Sequence, residues 1–166
     1  RGCICAVSRG IITLHLEESN MIYTPLTEAA MKMAYRGHHG QTDKSGIPYI
    51  FHPAHIAEEM SDEATTCVAL LHDILEDTMY KKADLAEKFP PEVVEAVILL
   101  THGKEDYYDY IRAIKSNPIA TEVKIADLKH NLDESRNARS RSVTISQKGW
   151  YKEKYERALE ILLDEK

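Results

Sequence analysis

Apolar residues return every three or four positions through most of this chain, and no segment sustains the alternation of a half-buried strand. That pattern commits the backbone to helices. The helix starts are marked chemically. Thr24-Pro25 sets an N-cap ahead of a proline at the first helical position, and Leu26, Ala29, Ala30, Met33 and Ala34 follow at helical spacing. Gly37 and Gly40 weaken that helix's end, and Gln41 to Ile50, punctuated by Ser45-Gly46 and Pro48, reads as a loop. His52-Pro53 opens a second helix running through Ile56 and Met60. A residue before proline is pushed out of helical geometry, which predicts His52 at the helix entrance, aimed into a cleft. Ser61 or Asp62 caps a third helix whose apolar side is Cys67, Leu70, Leu71, Ile74 and Leu75. A short helix around Ala83 to Phe89, one opened by Pro90-Pro91, one over Asp106 to Lys115, one after Asn117-Pro118 and a last one from Trp150 to Leu163 complete the reading. Ser135 to Ser142 is polar and basic and reads as a loop. The predicted class is all-α, a compact helical bundle with short connections.

A chain of 166 residues, 43% hydrophobic and 29% charged, suits one soluble domain with a real core. No apolar run approaches the roughly 20 residues of a membrane-spanning helix, so no membrane partner is expected. The formal charge of −6 argues against a nucleic-acid polymer as partner. It leaves room for a small phosphorylated substrate held by a local cation, and for self-association. The three cysteines, Cys3, Cys5 and Cys67, form no disulfide framework and point to a reducing, cytoplasmic setting, with Cys67 in the core. Residues 1–20 carry no helical period and read as a leader or extension without assigned function. Met21 reads as a natural start, which makes 21–166 the expected single domain.

The chemistry concentrates in Leu71-His72-Asp73-Ile74-Leu75-Glu76-Asp77. On one continuous helix, His72, Asp73, Glu76 and Asp77 would fall within a sector of roughly 140°. Imidazole beside carboxylate suits a divalent cation such as manganese, iron, zinc or nickel. Glu76 and Asp77, one turn on, are placed to orient a water or to act as general acid and base. A solvated helix face explains Glu76 and Asp77 easily, but not His72-Asp73 set among leucines and isoleucine. Asp127 and Asn131 share a face one turn apart in Lys124-Ile125-Ala126-Asp127-Leu128-Lys129-His130-Asn131-Leu132. Lys44, in the loop before His52, is a candidate phosphate contact and equally a solvated lysine. His55 and His130 are candidates for support around the metal ligands. Tyr107, Tyr108 and Tyr110 fit packing better than base stacking, and Arg136, Arg139 and Arg141 fit a solvated loop better than phosphate binding.

The stretches GHHGQTDKSGIPYIFHP, ALLHDILEDT and VKIADLKHNL occur in the order found in the HD superfamily. Over roughly Leu26 to Arg136 the chain resembles the hydrolase domain of bifunctional alarmone synthetase/hydrolases and their small stand-alone relatives. HD alone is a weak motif; HD followed by ED, with HP before and ADxxxN after, is specific. The resemblance implies that His52, His72, Asp73 and Asp127 bind one divalent ion, usually Mn2+. It implies that Glu76 and Asp77 handle the attacking water, and that Lys44 and Asn131 help hold the nucleotide. The implied reaction removes pyrophosphate from the ribose 3′ position of guanosine tetra- or pentaphosphate. Synthesis is not expected, since no synthetase domain follows. Asp43 stands where the family usually has arginine, placing an anion near the substrate. That departure favours another nucleotide, the second expectation. A nucleotide sensor without turnover is the third, and the complete ligand and water-handling set argues against it.

Overall fold

The computed structural model describes residues 21–133 and 144–164. Among them the helices are α1 Pro25–Gly37, α2 Phe51–Glu58, α3 Glu63–Leu71, α4 Ile74–Asp77, α5 Lys82–Ala86, α6 Pro91–Leu100, α7 Tyr107–Ile114, α8 Pro118–Leu132 and α9 Ile145–Leu163. The only β pairing among these residues is a single bridge between Thr42 and Pro48. The all-α expectation therefore holds. The basic segment 135–142 and the leader 1–20 lie outside the described residues.

Most helix starts follow their local chemistry. Thr24 accepts from the main-chain N–H of Thr27 while the Thr27 hydroxyl accepts from the Thr24 N–H, and Pro25 follows at the first helical position. Asp62 caps α3 by accepting from Thr65 N at 2.9 Å. Asn117 caps α8 through Ala120 N, 3.0 Å away.

Three expectations need correction. His52 stands at the entrance of α2 as its second residue, but its backbone is helical rather than pushed out of helical geometry, because the turn from Pro48 winds directly into the helix. Phe51 N donates to Pro48 O and His52 N to Tyr49 O, so helical geometry is set before Pro53 can oppose it. The HD and ED pairs do not share one continuous helix. α3 ends at Leu71, and Asp73 takes φ −99° and ψ 0° before α4 begins, so the 100° arithmetic does not carry across the break. The last helix starts at Ile145 rather than Trp150, since Thr144 and Gln147 form a capping box.

α3 is the central element. Every residue from Thr65 to Leu71 is buried, including Cys67. It packs against α1, α2, α6 and α8. The hydroxyls of Thr65 and Thr66 satisfy themselves on Asp62 O, which removes the cost of burying them. α9 closes over α7 and α8. The Tyr110 hydroxyl donates to Leu100 O and ties α7 to the end of α6. Burying α3 on several sides fixes the position of its C-terminal end, where His72 and Asp73 stand.

Candidate metal centre and family

Three segments meet at the end of α3. His52 comes from α2, His72 and Asp73 from the α3–α4 break, and Asp127 from the middle of α8. His52, His72 and Asp127 are buried, and each offers a ligand atom within 4.8 Å of the others'. Asp73 Oδ2 lies at the edge of this trio, 2.9 Å from His72 Nε2 and 3.7 Å from His52 Nε2. His52 Nε2 is 3.3 Å from Asp127 Oδ1. Ligands about 2.1 Å from a common ion stand roughly 3.0 Å apart at octahedral and 3.4 Å at tetrahedral angles, so these separations fit one cation.

Tautomers support the same fit. His72 Nδ1 lies 2.8 Å from Ala69 O, and a carbonyl only accepts, so Nδ1 carries the hydrogen. In the neutral ring that leaves the Nε2 lone pair facing the trio. This nitrogen is buried, and despite its closeness to Asp73 it has no geometrically sound hydrogen bond among the described residues. A buried, unpartnered acceptor beside a carboxylate is what a cation would satisfy. His52 Nδ1 is 2.8 Å from His130 Nδ1, with the rings stacked at 11°. If His52 ligates through Nε2, its Nδ1 donates to His130, which holds the ring in place.

The charges are tightly compensated. Burial opposes an imidazolium at His72, but the adjacent Asp73 carboxylate, with Asp127 and the Ala69 carbonyl, outweighs it and pushes the group up to about 9. Burial also penalises the Asp73 and Asp127 anions. The His72 charge nevertheless holds Asp73 below its ordinary value, and Lys124 holds Asp127 well below. Lys124 Nζ sits 2.8 Å from Asp127 Oδ2, and Asn131 Nδ2 donates to Asp127 Oδ1 at 2.6 Å. Asn131 thus orients Asp127 as well as being the expected substrate contact.

Glu76 and Asp77 are exposed at the mouth. Glu76 Oε2 accepts from His102 N at 3.2 Å. Partial burial and then the Asp73 charge raise the Asp77 carboxyl, moving it toward the range useful for proton transfer near neutrality. Lys44 stands with Nζ 4.3 Å from the centre of the Tyr151 ring, so the loop reaches α9. Asp43 Oδ1 accepts from Ser45 N and Ile47 N, and its main-chain N–H donates to Ile47 O. This carboxylate therefore closes its own loop as well as lining a cavity. That cavity, about 330 Å³ and bounded also by Phe51, His55, Glu58 and His130, touches His52 but not His72, Asp73 or Asp127.

Sequence reasoning missed several participants. Tyr49 donates its hydroxyl to Asp73. Lys124 looks like a solvated helix lysine until α7 and α9 cover it. His38 Nδ1 bonds Gln41 Oε1 at 2.8 Å while Gln41 Nε2 donates to Asp77 O at 2.7 Å, tying the end of α1 to the end of α4. The sequence signal for His38 and Gln41 is the His-x-Gly-Gln spacing inside GHHGQT.

Residues 30–106 match the HD domain family model. The likeness to the HD family model thus covers a little under half of the chain. The matched span includes the His52, His72-Asp73 and Glu76-Asp77 positions and stops before Asp127, which the fold brings in from α8. Among curated relatives, this chain is 32% identical over 146 residues to a Mycobacterium leprae protein named "Probable GTP pyrophosphokinase", covering 80% of this chain and 19% of that one. It is 37% identical over 119 residues to a GTP pyrophosphokinase of Streptomyces coelicolor, covering 63% of this chain and 14% of that one. The chain thus spans less than a fifth of the length of either. Among solved structures it resembles a metazoan ortholog of SpoT that hydrolyzes ppGpp and plays a role in starvation responses. That likeness has a TM-score of 0.73 at 22% identity, over 87% of this chain and 89% of the other.

Proposed function

We propose that residues 21–166 form one HD-type hydrolase unit that uses a single divalent cation, Mn2+, to remove pyrophosphate from the 3′ position of guanosine tetra- or pentaphosphate. The observation that carries this reading is the His72 ring, whose Nδ1 is committed to Ala69 O while its buried Nε2 faces His52, Asp73 and Asp127. When bound, the cation supplies Lewis acidity to a water and to a phosphoryl oxygen. The chain's own groups do the rest. His52, His72, Asp73 and Asp127 hold the ion. Asp77, its carboxyl raised, takes a proton from the attacking water, and Glu76, anchored on the His102 N–H, orients that water. Water oxygen bonds to the proximal phosphorus, the bond from phosphorus to ribose O3′ breaks, pyrophosphate leaves, and a proton passes to O3′. Lys44 and Asn131 hold the nucleotide. Among the described residues no helix is long and apolar enough to cross a membrane, and the proposed setting is the cytoplasm. The reaction named for the metazoan structural relative supports this substrate.

Asp43 favours a second reading, a different nucleotide, because it sets an anion at the loop lip. The test is a turnover screen of the manganese-loaded protein against the guanosine polyphosphates and a nucleotide panel. Pyrophosphate release from the former, lost in Asp73→Ala and Glu76→Ala, is expected. Phosphate release from another nucleotide alone selects the second reading. Binding without product contradicts both.

A further inference from the structure

We infer that Tyr49 is a positioning residue for the cation, its hydroxyl fixing which oxygen of Asp73 is presented to the metal. The inference rests on the metal-centre reading above and concerns a residue outside the ligand set. Tyr49 Oη donates to Asp73 Oδ2. The same oxygen lies 2.9 Å from His72 Nε2 and 3.7 Å from His52 Nε2. The phenol therefore grips the one oxygen that both imidazoles face.

Asp73 needs such a grip. It stands at the break between α3 and α4, where its own backbone leaves the helix. The terminal torsion of an aspartate is broad and roughly two-fold, so a carboxylate left alone offers either oxygen. A donor on Oδ2 occupies one lone pair and leaves another for the ion. Ligating carboxylates held this way lose less freedom when the ion arrives.

Tyr49 is itself held on all sides. Its main-chain N–H donates to Gln41 O at 3.0 Å, and the Thr42–Pro48 bridge closes the loop behind it. Its ring centre lies 4.8 Å from that of His38 and 5.5 Å from that of His52.

The opposing account makes Tyr49 a spacer between two histidine rings. Tyr49→Phe separates the two, because it keeps the ring and removes only the hydroxyl. Mn2+ affinity is measured by titration with electron paramagnetic resonance of the free ion, alongside melts of the metal-free and metal-loaded proteins. Affinity is expected to fall about tenfold or more in Tyr49→Phe, with the metal-free melt close to wild type. Site-specific 3-fluorotyrosine at position 49 retains the O–H and is expected to bind as wild type does. Unchanged affinity in Tyr49→Phe overturns the inference. So does a metal-free melt that falls as far as the metal-loaded one, or a tenfold loss in the fluorotyrosine protein. A wild-type protein that binds no Mn2+ sinks the metal-centre reading and this inference with it, and is told apart by its own titration.

Discussion

At His72 a proton and a cation compete for one nitrogen. Burial disfavours the charged ring, yet Asp73, Asp127 and the Ala69 carbonyl together outweigh it and raise the group to about 9. A folded value above the unfolded value of about 6.5 gives stability that is complete below about pH 6.5 and is lost as pH rises through about 9. A cation prefers the neutral ring, so its own stabilisation grows across the same window. Melts of the metal-free protein should therefore fall between pH 6.5 and 9 while the rise in Tm produced by Mn2+ widens. His72→Gln should flatten the metal-free trend, and a trend of equal slope in that variant would assign it to other groups. Lys124 gives a second prediction at this scale. It is paired at 2.8 Å with Asp127, with both side chains largely out of solvent. Removing one partner of a buried pair leaves an uncompensated charge, costing about 3–5 kcal/mol. Chemical denaturation of Lys124→Met should show a loss of that order without metal and a smaller one with Mn2+, which can neutralise Asp127 in its place.

Between elements, the end of α1 lies against the short α4. A Cβ on Gly37 would stand 2.5 Å from Ile74 Cδ1 and 3.1 Å from Thr78 Cγ2. Ile74 is fully buried and has little room to turn away. Gly37→Ala should cost about 1–3 kcal/mol by overpacking, read as a lower denaturation midpoint. Because α4 carries Glu76 and Asp77, turnover should fall with it. This scale also shows what the sequence could and could not reveal. Thr24-Pro25, Asp62 and Asn117-Pro118 announce their helices because a cap and its partner lie within three residues. The break at His72-Asp73 has no such local mark: Leu70, Leu71, Ile74 and Leu75 keep helical spacing straight through it. The break shows only in the backbone, where Asp73 takes φ −99° and ψ 0°. His52 entered its helix through a turn begun at Pro48 that outweighs the restriction from Pro53.

Across the whole molecule, the ligand candidates were legible because polar groups inside apolar runs need a reason to be there. His72-Asp73 among leucines and Asp127 beside Leu128 met that condition, and the fold brings them together from segments over fifty residues apart in sequence. Their supporting groups were legible only in part: His130, named from its place in the sequence, stands against His52, but two others gave no sign. Tyr49 sits in a loop where tyrosine is unremarkable, and Lys124 resembles any helix lysine until α9 packs on α8. Asp43 also closes its own loop through Oδ1, a role that its place in the sequence does not announce. The convergence itself can be tested at a single glance by anomalous diffraction from crystals grown with manganese. One peak per chain is expected, within coordination distance of His52 Nε2, His72 Nε2 and carboxylate oxygens of Asp73 and Asp127. A peak elsewhere, or one at this place that leaves Asp127 out of its coordination, would contradict the account.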